Sequence, residues 1–170
     1  MKGIKEIPDV FNLADYLLED NLKRGNGDKV AFCDRESTYT YSQLNTLVRR
    51  SASFLAKLGV ERENRVGILL SNRIESIVYF LGAIWLGAVP VPINPACSVE
   101  EIKYILQDSR LKVLLTSQTW AERLELSCQL FVERNGETGG QGDGGTGRMF
   151  SIAIAVAILW CQIIYVRFYW

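Results

Sequence analysis

The run Phe80-Leu81-Gly82-Ala83-Ile84-Trp85-Leu86-Gly87-Ala88-Val89-Pro90-Val91-Pro92-Ile93-Asn94-Pro95 decides how this chain folds. It lies inside a stretch from Ser76 to Val99 with no charged residue, long enough to raise the question of a bilayer crossing. Gly82, Gly87, Pro90, Pro92 and Pro95 argue against a crossing, because proline inside a spanning helix removes hydrogen bonds that lipid does not replace. At strand ends and turns the same prolines are tolerated, so the run reads as a buried helix joined to a buried strand.

Working outward, Asn72 with Glu75 has the spacing of a helix start, and Ile74, Ile77, Val78, Leu81, Ile84 and Trp85 share one face. Tyr79 and Phe80 make the other face apolar too, which predicts deep burial. Val66 to Leu70 ahead of it is a continuous apolar run, the mark of a central strand covered on both sides. Behind it, Ser98 and Glu101 form a capping box, Val99, Ile102, Ile105 and Leu106 a stripe, and Lys112 to Thr116 a further strand. Strand, helix, strand, helix, strand predicts an α/β fold, an open sheet with flanking helices and right-handed crossovers.

Nearer the start, Asn12 before Leu13, Tyr16 and Leu17 predicts a helix that Gly25 and Gly27 stop. Lys29 to Asp34, with Val30 and Phe32 on one face, and Thr38 to Tyr41 predict a hairpin. Thr40 with Gln43 caps the clearest amphipathic helix, in which Leu44, Leu47, Val48, Leu55 and Leu58 form a stripe up to Gly59. The α/β part is thus drawn over residues 1–120. Beyond Ser117 the pattern changes: 121–135 holds a less regular helix (Trp120 to Val132), and 136–148 is a Gly-rich linker with seven glycines from Gly136 to Gly147. The apolar tail, 149–170, has no charge from Met149 to Val166.

Composition excludes several roles. The 170 residues carry 19 Lys plus Arg against 19 Asp plus Glu, so no field favours nucleic acid. Four scattered cysteines and no histidine disfavour structural zinc and the usual general base, and Cys33 and Cys97 read as small buried hydrophobes of a reducing compartment. Met1 is followed by Lys2, Lys5, Glu6 and Asp9 with no apolar run, so no secretory signal is visible and the start reads as cytoplasmic.

Phe80–Pro95, with Gly59-Val60, Arg65 to Leu70 and Ser98 to Leu106 around it, resembles the N-terminal part of the adenylate-forming (AMP-dependent) acid–CoA ligases. Asn12 to Tyr16 and Gly27 to Phe32 resemble the benzoate–CoA ligase branch in particular, and the likeness runs from about Phe11 to about Ser117. The resemblance implies a family reaction in which an aromatic or acyl carboxylic acid, Mg, ATP and CoA give an acyl-adenylate and then a thioester. In that family a Ser, Thr and Gly-rich loop ending in Pro-Lys-Gly holds the phosphates. Gly136 to Arg148 has neither proline nor lysine, and the last lysine is Lys112. No catalytic, cofactor-binding or metal residue is therefore assigned, no cofactor is expected for this fragment, and the chain is expected to be a truncated ligase, inactive alone.

Asp34-Arg35-Glu36 and Glu61-Arg62-Glu63 offer paired charges but fall at predicted turns, where solvated surface is the expectation. Trp85 and Tyr79, at helical spacing, are expected in the core rather than against a ligand. The alternative is a membrane-tethered interaction module whose 149–170 segment, flanked by Arg148 and Arg167, crosses a bilayer. A shifted reading frame or gene fragment is the third account of that tail. Its β-branched residues favour strand pairing in water and a helix only in lipid.

Overall fold

The computed structural model describes residues 9–35 and 37–126, together with the backbone of short strands at 128–129, 154–158 and 162–166. The chain divides into two compact units, one of residues 1–64 and 71–90, the other of residues 65–70 and 91–170.

The first unit begins with α1 (Leu13–Lys23), whose N-cap Asn12 accepts the N–H groups of Ala14 and Asp15. The same side chain donates to the carbonyls of Ile84 (2.8 Å) and Trp85 (3.3 Å), so one amide both caps α1 and pins the end of a later helix. Strands β1 (Val30–Cys33) and β2 (Thr38–Thr40) form the expected antiparallel hairpin. An irregularity between Val30 and Phe32 changes which residues face inward: Ala31 and Phe32 lie against the core while Val30 is exposed. The predicted shared face of Val30 and Phe32 is thereby corrected, and Cys33 is exposed rather than buried.

Helix α2 (Tyr41–Lys57) starts at the Thr40–Gln43 capping box and ends before Gly59, whose φ of 75° suits a residue without Cβ. It meets α3 (Ile74–Trp85), where Ser51 Oγ, on α2, donates toward the carbonyl of Val78 at 2.9 Å and of Val48 at 2.8 Å. The unit's core is Ala14, Leu18, Leu44, Val48, Ile74, Val78 and Leu81. Helix α3 differs from expectation at its start: Arg73, not Asn72, is the N-cap, with no side-chain cap bond. A tight turn, Arg73 N–H to Ser71 carbonyl at 2.8 Å, holds Asn72 outside the helix.

The second unit is built on a six-stranded sheet whose order is β4 (Val89–Pro92), β3 (Arg65–Leu69), β5 (Val113–Thr116), β7 (Ile154–Ile158), β8 (Gln162–Val166) and β6 (Cys128–Gln129). Strand β3 (Arg65–Leu69) lies parallel to β5 (Val113–Thr116), with Val66 opposite Val113 and Leu69 opposite Thr116. All four residues of β5 are buried, as a strand covered on both faces requires. Helix α4 (Val99–Asp108) opens on the Ser98–Glu101 capping box, and a core of Leu69, Ile93, Ile102, Leu106, Leu111, Leu114 and Leu124 forms beneath it. Cys97 is half-buried against this core.

Strand β4 (Val89–Pro92) was expected to be buried but lies at the sheet edge, with Val89 45% exposed. Val89 and Ile93 donate to the carbonyls of Asn64 and Ile68 at 2.8 and 2.9 Å. Pro90 and Pro92 take the alternate positions, where the missing N–H would have faced the open edge.

Beyond β5, α5 (Gln118–Arg123) is six residues capped by Ser117, and β6 (Cys128–Gln129) is strand where the sequence reading carried a helix to Val132. The Gly-rich 136–148 segment lies outside the described residues. In the tail, β7 (Ile154–Ile158) and β8 (Gln162–Val166) pair antiparallel, β7 antiparallel to β5 and β8 parallel to β6. The alternative of a spanning helix at 149–170 finds no support: residues 154–158 and 162–166 are strand, and among the residues described no helix is long and apolar enough to cross a membrane.

Candidate functional site

A cleft of about 330 Å³ in the first unit is lined by Asp34, Arg35, Ser71, Asn72 and Arg73, every one polar. The β1–β2 turn supplies Asp34 and Arg35. The Asp34 N–H donates to the Ser37 carbonyl and its Oδ1 accepts the Ser37 N–H, both at 2.9 Å, which fixes the carboxylate in the turn. The other three residues follow β3 and precede α3, the position after a strand's carboxyl end where open α/β sheets present loops to ligands.

Two guanidiniums and one carboxylate suit the cleft to polar recognition. The chain has no histidine to act as a general base there. Nor do these residues fit a nucleoside triphosphate. A carboxylate sits among the arginines, and the loop lacks the run of glycine N–H groups that cradles phosphate. Among the described residues, no three His, Cys, Asp or Glu side chains gather as a metal site.

The charged turns separate in the structure. Asp34 and Arg35 reach the cleft, Glu36 lies outside the described residues, and Glu61, Arg62 and Glu63 are exposed on a turn where Glu63 takes φ 65°. Tyr79 is 5% exposed within the core. Trp85 is half-buried under the Arg49 guanidinium, 4.7 Å from its ring centre. Arg49 also bonds Glu19 at 2.6 Å, and that hydrogen bond foremost holds the Glu19 carboxyl below its ordinary range. Burial pushes the Tyr39 hydroxyl above its ordinary range.

Sequence reasoning missed Ser71, Asn72 and Arg73, although their place after an apolar strand run was a usable signal. It also passed over Thr116, at the carboxyl end of β5, whose hydroxyl is fully buried without a hydrogen-bond partner among the described residues.

The family model described as AMP-binding enzyme matches residues 18–141, so the likeness continues past Ser117. A 4-hydroxybenzoate–CoA/benzoate–CoA ligase of Rhodopseudomonas palustris is 35% identical over 115 residues, which are 68% of this chain and 21% of that protein. The crystal structure of the anthranilate CoA ligase AuaEII in complex with anthranoyl-AMP aligns with a TM-score of 0.65 at 31% identity, covering 70% of this chain and 23% of that one. A benzoate CoA ligase from Burkholderia xenovorans LB400 aligns with a TM-score of 0.64 at 32% identity, covering 74% and 26%. The chain spans about a fifth of the length of the curated relatives it matches.

Proposed function

The chain belongs to the AMP-binding enzyme family, and from that premise we propose that these 170 residues are the N-terminal scaffold of an AMP-forming aryl–CoA ligase and perform neither adenylation nor thioester formation alone. The aromatic-acid branch rests on one observation: both solved structures named above are ligases of aryl acids, and they match at 31% and 32% identity over 70% and 74% of the chain. In this reading β3, β5 and the helices joined to them supply framework. The acid, Mg-ATP and CoA are handled by groups that these residues do not include, since no lysine follows Lys112 and the Gly136–Gly147 run has no proline.

Exchange of pyrophosphate into ATP in the presence of benzoate tests both halves. The chain alone is expected to stay at the blank rate. A benzoate–CoA ligase whose matching segment is replaced by residues 11–117 is expected to exchange. Exchange by the chain alone overturns the inactive reading, and a folded, inactive chimera overturns the scaffold reading.

A further inference from the structure

Between α1 and β1 the chain passes through Asn26-Gly27, and three elements meet at that pair. The Asn26 N–H donates to the Asn21 carbonyl of α1 at 3.0 Å, and the Asn26 carbonyl accepts the Lys29 N–H at 2.9 Å in the turn that leads into β1. The Gly27 carbonyl accepts the Ser42 N–H at 3.0 Å, in the first turn of α2. A Cβ at position 27 would lie 2.7 Å from Ser42 Oγ, so the small residue belongs to this close approach.

Asparagine is among the least durable side chains, and a following glycine puts no Cβ in the way of its own nitrogen when that nitrogen attacks the side-chain amide. Among the described residues no hydrogen bond engages the Gly27 N–H. The amide that it faces in sequence is engaged instead: Asn26 Nδ2 donates to Asn21 Oδ1 at 3.0 Å, and Asn21 Nδ2 donates in turn to the Leu17 carbonyl at 2.8 Å. The helix thus aims the Asn21 side chain, whose oxygen holds the nitrogen that Asn26 would have to lose.

We propose that Asn26 is a latent deamidation site and that the Asn21 side chain is its latch. With the latch open, the Gly27 nitrogen bonds to Asn26 Cγ, the Cγ–Nδ2 bond breaks, and the nitrogen leaves as ammonia with the proton that Gly27 gives up. Water then opens the cyclic imide at either carbonyl, giving aspartate or isoaspartate. Either product sets a carboxylate oxygen against Asn21 Oδ1, acceptor against acceptor. Isoaspartate also carries the main chain through Cβ, which lengthens it between the contacts to Asn21 and Ser42 and loosens the start of α2.

Peptide mass spectrometry of the full chain, incubated at neutral pH, reads conversion at Asn26, with isoaspartate separated from aspartate by chromatography. A synthetic peptide of residues 17–31 is the unlatched reference. Conversion in the full chain is expected to be about tenfold slower than in the peptide or more, and Asn21→Ala is expected to close most of that gap. Asn12→Ala weakens α1 from its other end without touching the latch, and is expected to keep the wild-type rate. In the peptide, Gly27→Ala is expected to slow conversion. In the converted chain the Ser42 amide is expected to exchange faster, with exchange in β5 unchanged.

Equal rates in full chain and peptide overturn the latch. Equal acceleration by Asn12→Ala and Asn21→Ala assigns the protection to the stability of α1 and overturns the role of Asn21. Aspartate without isoaspartate, or a peptide rate indifferent to Gly27→Ala, overturns the attack by Gly27. An Asn21→Ala chain that stays unconverted while the peptide converts overturns the site itself, and unchanged exchange at Ser42 overturns its effect on α2.

Discussion

Replacing Gly82 by alanine is the sharpest test of how the first unit is held together. A Cβ built there falls well inside contact distance of Ser51 Oγ, and lies 3.1 Å from the Ala52 nitrogen and 3.2 Å from Ser51 Cβ. Ser51 has little room to yield, because its hydroxyl is 4% exposed and sits between the carbonyls of Val48 and Val78. Overpacking of this kind costs about 1–3 kcal/mol. Displacing the Ser51 hydroxyl removes about 0.5–1.5 kcal/mol more. Alanine returns about 1 kcal/mol through its better helix propensity. The net is a loss of about 0.5–3.5 kcal/mol, or a fall of about 2–14 °C in Tm at about 4 °C per kcal/mol. Urea unfolding followed by circular dichroism reads this as a lower midpoint at unchanged m. Adding Ser51→Ala to Gly82→Ala removes the closest clash and leaves the 3.1 and 3.2 Å contacts, so about half of the loss should return. A Gly82→Ala variant as stable as the wild type, or more so, refutes the close crossing of α2 and α3.

Asn12→Ala removes the cap of α1 together with the bonds to Ile84 and Trp85, and should lower stability by about 1–2 kcal/mol in the same assay, whereas Asn12→Asp, keeping only the cap, should lose less. Hydrogen bonds from the backbone N–H and then the hydroxyl of Ser98 hold the Glu101 carboxyl below its ordinary value of 4.5. A carboxyl lowered by folding contributes stability above its unfolded value and loses it as pH falls through the folded one, so acid unfolding below about pH 4.5 should flatten in Glu101→Gln. An unchanged acid limb between pH 5 and 2 counts against the box as the source. Arg49→Leu should bring the Glu19 carboxyl back toward its ordinary range, visible as an upward shift in its NMR titration.

What the sequence disclosed follows from how local each cause is. The boxes at Thr40–Gln43 and Ser98–Glu101 need only residues three apart, and both formed as read. Asn72–Glu75 has the same spacing, but the turn that closes on Ser71 moved the helix start one residue on, and spacing alone does not report such a turn. Burial of β4 was misjudged because its apolar residues and its prolines gave opposite signals, and the prolines decided. Exposure of Cys33 depends on the irregularity at Val30–Phe32, a property of the pair of strands rather than of either alone. The polar cleft escaped notice because its two walls are 36 or more positions apart in the chain, and each wall separately looks like ordinary turn chemistry.

The parallel pairing of β3 and β5 also sets a schedule for synthesis. Val66 is matched with Val113, 47 positions later, and the apolar strand β3 leaves the ribosome before that partner exists. At about 5–20 residues per second the interval is about 2–9 s. For about the first half of it, until β4 (Val89–Pro92) is made, Val66, Ile68 and Leu69, all buried in the finished sheet, have neither neighbour in place. The nascent chain therefore passes through a window in which this apolar strand is open to chaperones and to other chains, and slow codons between Leu70 and Val113 would widen it.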